Sequence, residues 1–153
     1  MNPVIIEGRV KNKKRVEEYI HALAKELGIN RLYSKGIFVK FYTKLDHGAQ
    51  GLCWGDHKSH AEISIARTSN GDAFTLEEMM QTLAHEMVHA KQYIKGELVS
   101  GVGRKPSRWF GKPVKGDNYW DLPWEIEAHG REVGLFVRYC EDNDLGKYKW
   151  TQV

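Results

Sequence analysis

The sequence predicts an α+β fold, with three principal helices against a small, mostly antiparallel sheet, from three observations. Residues 12–27 and 75–94 carry apolar side chains at helical spacing, and a third such run opens at Pro123. Between the first two lie short runs of β-branched and aromatic residues bounded by glycines. The chain is 153 residues long, 41% apolar and 28% charged, which suits one core and hence a single domain over 1–153.

The first nine residues include an acid, Glu7, and no long apolar run, unlike a signal peptide. No stretch approaches the ~18 apolar residues of a membrane span, so the expected setting is cytoplasmic, with no membrane. In 12–27, Val16, Tyr19, Ile20, Leu23 and Leu27 form one apolar stripe, and Gly28 stands where a helix-ending glycine belongs. Lys11, Lys13, Lys14 and Arg15 read as the solvated first turn. Residues 36–42 and 60–66 read as strands, and 50–55 as a third short one. Asn70-Gly-Asp72 marks a turn.

Thr75-Leu-Glu-Glu78 is a capping box, from which Leu76, Met79, Met80, Leu83, Met87, Ala90 and Ile94 run at helical spacing to Gly96. Residues 96–120 have no period; five glycines, five basic residues and four aromatics are interleaved there. A loop of that length inside a compact domain is usually functional or disordered. Asp121-Leu-Pro-Trp124 then reads as a helix start with an N-cap and an early proline. Ile126, Val133, Val137 and Cys140 carry that helix to about Asn143, and the last ten residues, with Tyr148 and Trp150, read as a docked tail.

Two cysteines, Cys53 and Cys140, with no Cys-x-x-Cys pair, exclude a disulfide framework and a zinc ribbon and read as reduced thiols. A net charge of +3 is too small to argue for nucleic acid by itself.

The pattern that carries chemistry is His85-Glu-Met-Val-His89. At 3.6 residues per turn the two imidazoles leave one face of the helix and can hold one zinc ion, while Glu86, about a quarter turn away, can reach a water there and act as general base. By chance such a match arises in roughly one shuffled sequence in forty, and here it falls mid-helix behind an independent cap. A hydrolytic zinc needs a third ligand. Glu125 and Glu127 are 200° apart on the last helix, so at most one points at the metal. Glu127 shares a face with Trp124, Ala128, Arg131 and Leu135, which favours it; His129 and Glu125, on a more polar face, are the alternatives.

The segments Thr82-Leu-Ala-His-Glu-Met-Val-His-Ala-Lys-Gln-Tyr93 and Trp124-Glu-Ile-Glu-Ala128 resemble the zincin metallopeptidases, specifically small single-domain gluzincin-type members, over about residues 60–140. The resemblance implies a zincin-like α+β fold, one zinc per chain on His85, His89 and Glu127, and Glu86 as base in peptide-bond hydrolysis. It further implies that the strand before the active helix, His60–Ala66, lies at the sheet edge and pairs with an extended peptide or protein substrate. The layout is also similar to SprT-like domains, which use a histidine as third ligand; His129 is the match, though their cysteine ribbon is absent. Peptide deformylases share the motif but use an upstream cysteine, for which Cys53 is the candidate. The metzincin extension is absent, Gln92 and Tyr93 standing in its place.

Gln92, one turn past His89, is a candidate to hold a ligand in place. Tyr119, His129 and Arg131 are candidate oxyanion donors, although Arg131 at i+4 from Glu127 also suits a simple ion pair. The expected protein is a monomeric, zinc-dependent metallopeptidase. Its rivals are a zinc-binding scaffold without turnover and a nucleic-acid-associated protease whose 96–120 loop supplies the contacts.

Overall fold

The computed structural model describes residues 2–145; the tail with Tyr148 and Trp150 lies outside them. A short strand, β1 (Val4–Glu7), leads to α1 (Lys13–Glu26), whose N-cap Asn12 accepts a hydrogen bond from the Arg15 amide. Leu27 closes α1 and Gly28 follows at φ 73°, as its position predicts. The chain then runs through β2 (Gly36–Tyr42), β3 (Gly51–Gly55) and β4 (His60–Ala66). Asn70 and Gly71, both at positive φ, turn the hairpin of β5 (Thr68–Ser69) and β6 (Asp72–Ala73).

Helix α2 (Leu76–Ile94) starts where its cap predicts, the Glu78 amide donating to Thr75 Oγ1 at 3.1 Å. The aperiodic stretch after it is ordered as a small antiparallel sheet of β7 (Leu98–Val99), β8 (Arg108–Trp109) and β9 (Lys112–Pro113), followed by a 3₁₀ turn at Tyr119–Asp121. Helix α3 (Pro123–Asp142) begins with its proline in the first turn. Leu122, not Asp121, is the boundary residue, and no side chain caps it.

The main sheet has the order β1-β2-β4-β3. It is mixed and not mostly antiparallel: β1–β2 and β2–β4 are parallel, and only β3–β4 is antiparallel. Two causes produce this. Val4–Glu7 adds a strand that the sequence reading passes over, and α1 is its crossover to β2. The β3 segment also goes to the outside, so β4 returns beside β2 in the same direction.

Strand β4 is therefore interior, paired on both sides, and β3 is the edge, which corrects the placement of His60–Ala66 at the edge. One face of the sheet is apolar and buried, with Ile37, Val39, Phe41, Ala61, Ile63 and Ile65 packing under the helices. Tyr19 of α1 ties the helices together: its ring packs on Phe136 and Tyr139 of α3, and its hydroxyl donates to the Met80 carbonyl of α2 at 2.9 Å. With α1 and α3 so anchored, α2 lies across β3 and β4 with one long side against α3. No helix among the described residues is long and apolar enough to cross a membrane.

Candidate metal centre

Where α2, α3 and β3 meet, a cleft of about 200 Å³ opens, lined by Gly51, Cys53, His85, Glu86, His89, Tyr93, Leu98, Tyr119, Trp124 and Glu125 among others. Helical spacing does what the motif requires: His85 and His89 turn their rings to the same point, with Nε2 atoms 3.2 Å apart. The third group there is Glu125, one carboxylate oxygen 3.2 Å from His85 Nε2 and the other 3.1 Å from His89 Nε2. His85, His89 and Glu125 are all at least nine-tenths buried and form a group able to hold a metal ion. Four donors placed tetrahedrally at the ~2.0–2.1 Å of zinc–nitrogen and zinc–oxygen bonds stand about 3.3 Å from one another. The two imidazole nitrogens stand at such an edge, and Glu125 meets them with different oxygens, one toward each ring.

Glu127, expected as the third ligand, is elsewhere. Both of its oxygens accept from Lys91 Nζ at 2.8 Å, one also accepts from Gln92 Nε2 at 2.8 Å, and Arg131 lies 4.0 Å away. Burial alone would raise its carboxyl, but these donors bring it below its ordinary value. The apolar side of α3 does turn inward, at Ala128 and Leu135, yet the polar side is also covered near its start. Glu125, His129 and Glu132, at i, i+4 and i+7, are that side, and they face α2.

The other expected residues divide between the cleft and its surroundings. Gln92 is fully buried and reaches His89 Nδ1 through Oε1 at 2.8 Å. Tyr119 stands on the cleft wall with its hydroxyl 2.8 Å from both Glu125 Oε1 and His129 Nε2. His129 Nδ1 is 3.0 Å from Glu132 Oε1, and Glu132 Oε2 is 3.5 Å from His85 Nδ1, a contact the sequence reading does not anticipate. A second group of potential ligands, His85, His129 and Glu132, thus shares His85 with the first. Arg131 is not among the cleft residues; it lies 4.0 Å from Glu127. Cys53 lines the cleft but belongs to neither ligand group. Both cysteines are free thiols.

Glu86 is 6% exposed and makes no hydrogen bond among the described residues. Burial pushes its carboxyl up to about 7, against the opposing pull of His89 and His85. It fits because β3 turns only small residues toward α2. A Cβ on Gly51 would lie 2.8 Å from Thr82 Cγ2 and 2.9 Å from Glu86 Oε1, and one on Gly55 would lie 3.0 Å from Tyr93 Cβ. For Glu125 the sign is opposite: burial opposes ionisation, but hydrogen bonds to His85, His89 and Tyr119 hold the carboxyl well below the usual range. Burial lowers His89, and its bond to Glu125 and the charges of Glu86 and Glu125 more than offset this, leaving it raised. The Tyr119 phenol is pushed well up by burial and by its bond to Glu125.

In comparisons with known proteins, the chain matches no family model, no curated protein and no solved structure. The reading of the site therefore rests on its own geometry.

Proposed function

We propose that the protein is a zinc-dependent metallopeptidase, hydrolysing peptide bonds at the His85–His89–Glu125 centre. One observation carries the reading: two imidazoles and a carboxylate, grouped closely enough to hold a metal ion, share a cleft with Glu86, a carboxylate without a hydrogen-bond partner among the described residues. Glu86 lines the cleft beside the two imidazoles with its carboxyl pushed up by burial to about 7, a range suited to exchanging a proton near neutral pH. Zinc suits two imidazoles and a carboxylate, and when bound it supplies Lewis acidity toward a carbonyl and brings the pKa of a water to near 7.

The chain's own residues complete the chemistry. Glu86 takes a proton from the attacking water and returns it to the leaving amine. Tyr119 is the hydroxyl in reach of the developing oxyanion. The free edge of β3 offers unpaired backbone groups along the cleft, suited to an extended peptide added as a further strand. The motif spacing and an edge strand beside it are what the chain shares with zincins. Its departure is a third donor at Glu125 in place of Glu127.

The test is elemental analysis of the purified protein together with an unbiased peptide-library digest. About one zinc per chain is expected, with cleavage lost on chelation and regained on adding zinc. Absence of bound metal after incubation with zinc would overturn the reading.

A second reading, a protease acting at nucleic acid, draws on one observation. Residues 98–116 hold five exposed basic side chains, Arg104, Lys105, Arg108, Lys112 and Lys115, and no acid, and none of the five is in an ion pair among the described residues. Under that reading an oligonucleotide mobility shift appears at low salt and collapses at moderate salt; no shift at low salt excludes it.

A further inference from the structure

Beside the metal centre runs a chain of four side chains in which each contact determines the next. Lys91 is 5% exposed, and its ammonium lies 2.8 Å from both oxygens of Glu127 and 2.8 Å from Glu97 Oε1. An ammonium only donates, so the paired Glu127 carboxylate is held as an acceptor. Gln92 directs its amide nitrogen at two acceptors, Glu127 Oε1 at 2.8 Å and the Trp124 carbonyl at 3.0 Å. Turning the amide round would set its oxygen against both of theirs. Gln92 Oε1 must therefore face His89 Nδ1, where it stands at 2.8 Å. An amide oxygen there requires the imidazole hydrogen on Nδ1, which in the neutral ring leaves the lone pair on Nε2, against the competing pull of the Glu125 carboxylate 3.1 Å away.

We propose that Lys91, Glu127 and Gln92 are positioning residues that fix the tautomer and orientation of His89, and that this, not ligation, is the role of Glu127. Only the effect on metal affinity rests on the metal reading; the tautomer does not. The arrangement also accounts for a buried lysine and a fully buried glutamine on the motif helix, which the apolar core does not require.

The test has two readouts. Long-range ¹H–¹⁵N correlation of the histidine rings, in metal-free protein at a pH where the imidazole is neutral, reports the tautomer. Zinc titration against a chelating indicator reports affinity. In the wild type His89 is expected as the Nδ1–H form. Gln92→Leu should mix the tautomers and weaken zinc about 10- to 100-fold, and Glu127→Gln should do the same to a smaller degree. Glu127→Gln leaves Gln92 itself in place and serves if Gln92→Leu does not fold.

An unchanged His89 tautomer in both Gln92→Leu and Glu127→Gln overturns the proposal. So does loss of zinc in Glu127→Gln as complete as in Glu125→Gln, since that would make Glu127 a ligand. Should the wild type bind no zinc while the tautomer still responds, the metal reading fails and the positioning chain stands.

Discussion

Glu125→Ala is expected to leave the purified protein without zinc, whereas Glu127→Ala should keep close to one zinc per chain. The geometry sets the size of the effect. Glu125 spans both imidazoles, with oxygens 3.2 and 3.1 Å from their Nε2 atoms, and it is the carboxylate grouped with them. Four-ligand structural zinc sites in zinc-finger peptides are worth on the order of 10–16 kcal/mol, about 2.5–4 kcal/mol per ligand, so losing one ligand should cost roughly a hundred- to a thousandfold in Kd. Glu127 has its lone pairs committed to Lys91 and Gln92, and removing it acts on His89 only through Gln92. Elemental analysis after desalting, with zinc titration of each variant, separates the two. Equal loss in both variants would restore Glu127 as a ligand; zinc retained in Glu125→Ala would remove Glu125 from the site.

That contrast also marks what could be read from the chain. The motif helix was legible because two independent signals coincide: a capping residue at Thr75, whose hydroxyl accepts from the Glu78 amide, and apolar spacing from Leu76 to Ile94. Its two histidines follow from 3.6 residues per turn alone. The third donor was not legible, because patterning treats the polar face of a helix as the wet one. On α3 that rule fails locally. Glu125, His129 and Glu132 lie on the polar side, yet α2 presents two imidazoles to them, so a polar face is buried against a polar partner. A signal was available in their i, i+4, i+7 spacing, which places three titratable groups in one line.

The sheet was hidden for a different reason. β1 has four residues, too few for alternation to stand out, and without it the crossover through α1 is invisible. β3 inverts the usual code, with Leu52 and Trp54 exposed and Gly51, Cys53 and Gly55 toward the helix. An inward face of small residues looks like a weak strand, when it is the clearance that lets α2 approach closely. The edge of the sheet is accordingly β3 and not β4.

Glu86→Gln should abolish turnover while leaving zinc content intact, and Gly51→Ala should approach the same result without touching the carboxylate. The glutamine has the shape of the original side chain but cannot take a proton, so the expected loss is that of a missing general base, about 10²–10⁴-fold in kcat. Metal binding should survive because Glu86 is in neither ligand group. Gly51→Ala acts by displacement: a methyl group 2.9 Å from Glu86 Oε1 and 2.8 Å from Thr82 Cγ2 cannot be accommodated unless the carboxylate or β3 moves. A shift of about 1 Å in a catalytic group can cost on the order of a hundredfold. Steady-state kinetics on a cleaved library peptide, with zinc measured on the same samples, tests both. Full activity in Glu86→Gln would mean that the buried carboxylate is not the base. Loss of zinc in either variant would mean that it supports the metal, leaving a binding module as the better account. Lost turnover with zinc retained in both would tie the clearance at β3 to the chemistry at α2.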